Sequence, residues 1–176
     1  DLTTAAARLE SLLPRLSPAH HPAERLRALL VYGVNRSYAG RPRPAELALR
    51  EAIALATARR DSAALGHGLR WLGIALQDQG RYSEASRMSR RLLAVGTSLG
   101  DRMLVAHARL GLGYAALQTG DLIEARAAYD LALAGYQAGR DDRGTLFALT
   151  GLGRTLTGLG EDERAEETFS EVVRRA

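Results

Sequence analysis

The chain of 176 residues has a formal net charge of +4, with 46% hydrophobic and 25% charged residues, the proportions of a folded chain and not of a disordered one. It has no Cys, which excludes disulfides, thiol catalysis and cysteine metal sites, and no apolar run approaches the roughly 18 residues that a membrane span requires. All 24 basic residues are Arg and Asn occurs once, at Asn35, a usage that points to a GC-rich bacterial genome. Ala, Leu and Arg favour helices, so the composition leans all-α. With no signal peptide in view, a cytoplasmic setting is expected.

Residues 1–13 read as a helix with apolar Leu9, Leu12 and Leu13, stopped by Pro14. Residues 14–22 hold Pro14, Pro18 and Pro22 and form an irregular linker. A helix is predicted over 23–39, closed by Gly40 in the left-handed conformation. The next spans 44–59, with Pro44 suited to its opening turn. Asp61 then caps a helix over 62–79, and Gly80 leads into one over 82–98. Asp101 caps 102–119, and Asp121 followed by Glu124 opens 122–138 as a capping-box-like start. Asp141 caps 142–159, and Gly160 precedes the last helix, 162–175.

This order is an internal repeat, the first thing to seek in a sequence. Gly33, Gly73, Gly113 and Gly153 recur at intervals of 40 residues, as do Gly40, Gly80, Gly120 and Gly160, and Ala45, Ala85, Ala125 and Ala165. Each of the first glycines lies inside a helical pattern at a cost of about 1 kcal/mol against Ala. That cost is tolerated where another helix must come close, and the Ala series is expected to supply the other side of the contact. Asp1, Leu2 and Ala5 sit three periods before Asp121, Leu122 and Ala125. Residues 1–13 are therefore the second half of a unit, and a segment of a longer array is expected. The four units run over 23–62, 63–102, 103–142 and 143–176, within one domain.

The motif residues resemble the tetratricopeptide signature of Leu-Gly, turn Gly, Ala and an aromatic. They are Leu72-Gly73, Gly80, Tyr82 and Ala85; Leu112-Gly113, Gly120, Ala125 and Tyr129; Leu152-Gly153, Gly160, Ala165 and Phe169; and, more weakly, Tyr32-Gly33, Gly40, Ala45 and Leu49. The period is 40 and not 34, and the Pro that often closes the second helix is absent. The resemblance implies an all-α, right-handed α-solenoid of antiparallel helix pairs with about nine helices. Units of this length, with a Leu99-Gly100-Asp101-Arg102 link, are similar to the arrays of large bacterial LuxR-type and antibiotic-regulatory ATPase regulators, which implies a sensor or autoinhibitory role.

In that family the first helices line the concave groove. The resemblance thus places Arg27, His67, His107 and Phe147 in one column, Leu30, Arg70, Leu110 and Thr150 in a second, and Val34, Ile74, Tyr114 and Arg154 in a third. Tyr38, Gln77 and Gln118 fall toward the helix ends. The groove-binding candidates are Arg27, His67, Arg70, Gln77, His107, Tyr114, Gln118, Phe147 and Arg154. The mixture suits a protein, a peptide or a small acidic ligand, with Arg as the carboxylate or phosphate partner. The alternative is a solvated face, or one covered by neighbouring domains.

Other patterns have plainer readings. Gly111-Leu112-Gly113-Tyr114-Ala115-Ala116 imitates a dinucleotide fingerprint, but it lies mid-helix without the required preceding strand, so packing explains it. His67 and His107 lack a third ligand and make no metal site; no cofactor is implied. Trp71 is expected to pack between a first and a second helix. Arg87, Arg90 and Arg91 form a solvated run without the recognition helix or aromatics that nucleic-acid contact demands. No residues stand at catalytic spacing, so no enzyme is expected. A binding domain of a larger regulator is the leading expectation. A free-standing scaffold that self-associates through the array ends is the alternative.

Overall fold

A computed structural model describes residues 2–175, with the side chains of Leu2, Thr3, Ala5 and Ala6 left aside. The register match of Asp1, Leu2 and Ala5 to the later units lies outside the described residues. Nine α-helices and no strand occur among the described residues: α1 (Leu2–Leu12), α2 (Pro22–Tyr38), α3 (Pro42–Ala58), α4 (Ser62–Gln77), α5 (Tyr82–Leu99), α6 (Arg102–Thr119), α7 (Leu122–Ala138), α8 (Asp142–Gly158) and α9 (Asp162–Arg175). The expected boundaries hold within two residues, and the linker contains a 3-10 turn, Leu13–Arg15. The chain divides into two compact units at the Arg81–Tyr82 peptide. In the first, α2 packs on α1, α3 and α4; in the second, each helix packs on the next and α6 meets α8.

The punctuation follows from backbone chemistry. Asp61, Asp101, Asp121 and Asp141 each accept a hydrogen bond from a free N–H in the first turn of the helix they precede. Gly40, Gly80, Gly120 and Gly160 all have positive φ, from 65° to 84°, where L side chains are disfavoured. The alternate turns use Arg60, Gly100 and Arg140 at one register position, all left-handed. At Arg60 and Arg140 this costs roughly 1–2 kcal/mol each, which the packed helices on either side sustain.

The mid-helix glycines meet large side chains. A Cβ at Gly33 would stand 2.5 Å from Leu49 Cγ, one at Gly113 3.0 Å from Tyr129 Cδ1, and one at Gly153 2.7 Å from Phe169 Cε1. Each partner lies 16 residues later, on the following second helix. The alanines expected to fill this role, Ala45, Ala125 and Ala165, are buried, but they sit one turn before the residue that covers the glycine. Tyr129 is also covered from its other side by Gly151 of α8. The Gly-x-Gly pattern is thus a pair of slots for aromatic rings.

Ion pairs fasten the turns. Arg25 on α2 binds Glu51 of α3 and donates to the carbonyls of Leu13 and Leu16, each at 2.7 Å, so the Pro-rich linker is tied to the first helix pair. Glu46 of α3 accepts from Arg81 at 2.6 Å in the first unit. Arg126 of α7 donates to Glu161 at 2.9 Å in the second. These pairs occupy the same two register positions, 80 residues apart, with their charges exchanged.

Candidate functional site

In the first unit the expected residues lie on α2 and α4. Arg27 is exposed on α2 and makes no ion pair among the described residues; Gln77 is half-buried in the last turn of α4. The centre of this face is Trp71, which is 7% exposed. Its ring packs against Tyr38 of α2 with centroids 5.0 Å apart, and the Arg70 guanidinium lies 5.3 Å from its centroid. The indole therefore sits between successive first helices, where a position between a first and a second helix was expected. The reason is Tyr38, whose ring reaches it from the end of α2.

His67, one turn earlier on α4, completes the group. Trp71 Nε1–H donates to His67 Nε2 at 3.1 Å. An indole N–H can only donate, so His67 Nε2 must accept and the imidazole is neutral, with its proton on Nδ1. Desolvation, with the neighbouring Arg70 charge, lowers the His67 pKa from its ordinary 6.5. The sign follows. The unfolded chain takes up this proton first as pH falls, so stability is full above pH 6.5 and declines below it. His67→Gln, which can still accept from the indole, should flatten the fall in melting temperature between pH 7.5 and pH 5. Parallel thermal melts of the two proteins check this, and identical slopes would refute the assignment.

In the second unit the residues lie on α6 and α8. His107 is half-buried, and its Nδ1 is 2.6 Å from the hydroxyl of Tyr136, whose side chain is completely buried. Both histidines thus have a ring nitrogen engaged by an aromatic neighbour, and no group of three metal-ligating side chains occurs among the described residues. Tyr114 is half-buried with its ring 6.3 Å from that of Tyr82, and Gln118 follows one turn later. Phe147 is exposed, with the Arg143 guanidinium 5.7 Å from its ring centroid. Arg154 is exposed and makes no ion pair among the described residues.

Sequence reasoning missed Tyr129 as a candidate, although it stood in the family signature. Its phenol lies within electrostatic reach of both Arg154 and Tyr114. Burial raises its pKa well above 10, Arg154 pulls it down and Tyr114 pushes it up. The signal was its residue type. The equivalent positions hold Leu49 and Phe169, which pack on the same glycine slot without a hydroxyl.

The family model for the tetratricopeptide repeat matches residues 65–138 and 104–176. The apo form of RapI is similar in structure over 100% of this chain and 64% of its own length, with a TM-score of 0.90 and 14% identity. A Rap protein complexed with Competence and Sporulation Factor is similar over 99% of this chain and 49% of its own, with a TM-score of 0.86 and 15% identity. A Podosopora anserina kinesin light chain with nearly identical TPR-like repeats is similar over 99% of this chain and 86% of its own, with a TM-score of 0.74 and 18% identity. At these identities the likeness is one of fold. The chain spans about two thirds of RapI and about half of the Rap protein. No curated protein sequence matches it.

Proposed function

We propose that this chain, which belongs to the tetratricopeptide repeat family, is a non-catalytic module that holds an acidic peptide segment against its first helices, as the sensing part of a larger cytoplasmic bacterial regulator. The observation that supports this reading is a partition of charge. Among the first helices, α4 and α6 hold Arg70, Arg102 and Arg109 and no acidic residue. α2 sets Arg25, Arg27 and Arg36 against Glu24, and α8 sets Arg143 and Arg154 against Asp142. The second helices are balanced or acidic: α3 has two residues of each sign, α7 has Arg126 against Glu124 and Asp130, and α9 has five acids to three Arg. Only α5 departs from this.

Guanidinium groups on acid-poor helices, exposed at Arg102 and half-buried at Arg70 and Arg109, attract carboxylates and bind them in a planar, bidentate geometry. Tyr38 of α2 and Phe147 of α8 add exposed aromatic surface to the first helices. The Rap protein complexed with Competence and Sporulation Factor supports a ligand-holding role for this fold. A thermal-shift screen of acidic peptides tests the reading. Peptides that raise the melting temperature should lose most of that effect with Arg70→Ala, and keep it with Arg87→Ala or Arg91→Ala on α5. The reverse pattern would move binding to the second helices and defeat the proposal.

A further inference from the structure

We infer that the exposed faces of α5, α7 and α9 form a self-complementary surface through which two copies of this chain pair, α7 against α7, about a two-fold axis along that helix. The inference goes beyond the peptide-binding reading, because it concerns the second helices and not the first. It also gives a role to α5, the one second helix that departs from the charge partition described above.

Three observations lead to it. The first is an uncovered apolar stripe on α7. Ile123 is 70% and Leu131 49% exposed, and Ala127, Ala134 and Ala138 are exposed with them. Their spacing keeps all five on one face of the helix, opposite the face packed on α6 and α8. Large apolar residues separated by alanines leave room for a second helix to approach closely along the whole stripe.

The second observation is the charge on either side. Arg90 of α5 lies 3.9 Å from Glu124 of α7, and Arg126 of α7 binds Glu161, just before α9, at 2.9 Å, so α7 runs between the other two. Residues 40 apart share a register, so Arg87, Ala127 and Glu167 form one row across the three helices and Arg91, Leu131 and Glu171 the next. Each row passes from basic through apolar to acidic. The third observation is what symmetry does with these rows. A two-fold axis along α7 lays that helix on its own copy and sets α5 of one chain over α9 of the other at the same height. Arg87 then faces Glu167 of the second copy, Arg91 faces its Glu171, and Glu84, the one acid of α5, faces its Arg164. A two-fold axis across α7 would instead lay basic α5 on α5 and acidic α9 on α9, which like charges oppose. The charge pattern therefore selects the parallel pairing. Within one chain Arg87 stands 3.9 Å from Glu84, Glu171 binds Arg174 and Arg175 at 2.5 Å, and Arg164 binds Glu161. These are surface pairs within a turn or so of each other, and they exchange for new partners at little cost.

Sedimentation velocity of the full chain over roughly 5–500 μM tests the surface. The chain should dimerise with a dissociation constant below about 100 μM in about 50 mM salt, and at least about tenfold more weakly in about 500 mM salt. Leu131→Glu should weaken the dimer at least about tenfold and keep the melting temperature of the parent, because Leu131 is exposed. The charge-reversed chains Arg87→Glu/Arg91→Glu and Glu167→Arg/Glu171→Arg should each be monomeric. An equimolar mixture of the two should dimerise within about threefold of the parent, because both contacts between α5 and α9 are restored. The chain has no Cys, so Ala127→Cys and Ala134→Cys each introduce a single thiol. Both should cross-link to their own copy under a mild oxidant, whereas an antiparallel pair can cross-link at most one. A chain that stays monomeric at about 500 μM overturns the inference and leaves this face to a different partner or to solvent. It is also overturned by a dimer that Leu131→Glu leaves intact and Val173→Glu dissolves, which would place association at the end of the array. A mixture of the reversed chains that stays monomeric, or failure of either thiol to cross-link, overturns it as well.

Discussion

Gly151→Ala should destabilise the second unit by about 2–3 kcal/mol, although the same change in an unconstrained helix would stabilise it by up to about 1 kcal/mol. The new methyl group would overlap Cε1 and Cζ of Tyr129. Such an overlap is cheap when the neighbour is the free end of a flexible side chain. Here it is a ring that is 2% exposed and already in contact with α6, where a Cβ at Gly113 would stand only 3.0–3.1 Å from three of its carbons. The ring cannot retreat from α8 without driving into α6, so the helices themselves must separate. For a chain of this size the loss corresponds to a fall in melting temperature of roughly 5–10 °C.

The cause can be isolated. Tyr129→Leu introduces the residue that Leu49 already provides over Gly33, shorter than a phenol but adequate to cover a helix backbone. Combined with Gly151→Ala it should recover at least about 1 kcal/mol of the loss, a coupling expected only of residues in contact. A melting temperature unchanged or raised by Gly151→Ala alone would mean that the slot is not tight.

Much of this architecture was legible because it is local. An Asp before a helical run, a Gly after one and a 40-residue interval each describe a few adjacent residues, and the caps at Asp61, Asp101 and Asp141 and the left-handed turns at Gly40, Gly80, Gly120 and Gly160 fall where the pattern put them. The partner of each buried glycine was not legible from spacing alone. Both the alanine series and the large residue four positions later fit the register, and only the coordinates place Leu49, Tyr129 and Phe169 in the slot. The site divides the same way. The first helices could be named, but whether His107 faces solvent or Tyr136 depends on a phenol 29 residues away on another helix. The bond between His67 and Trp71 is an exception, since i and i+4 on a helix are neighbours. The exchanged ion pairs at Glu46–Arg81 and Arg126–Glu161 show why charge resists such reading. A register position can demand an ion pair without fixing which member is acidic.

The first of those pairs should make stability acid-sensitive in a defined window. The Glu46 carboxylate accepts hydrogen bonds from Gln79 at 2.9 Å, Arg81 at 2.6 Å and Arg50 at 2.8 Å, and its side chain is 13% exposed. Burial works against the charged form and is the largest influence on it. The three donors and the Arg50 charge together outweigh burial and bring the pKa from 4.5 down to about 2. A folded-state value below the unfolded one means that stability is fully present above pH 4.5 and is lost as pH falls through 2. The shift corresponds to roughly 2–3 kcal/mol once the partial exposure of Arg50 and Arg81 is discounted. Glu46→Gln should cost about that much at pH 7, because an uncharged amide cannot satisfy two guanidinium groups. The difference from the parent, measured by urea denaturation, should shrink by more than half between pH 5 and pH 3, as the unfolded parent begins to take up the proton that its folded form refuses. A difference that stays constant across that range would mean that the carboxylate is held by shape and not by charge, and that the Arg81 turn is fastened by Gln79 alone.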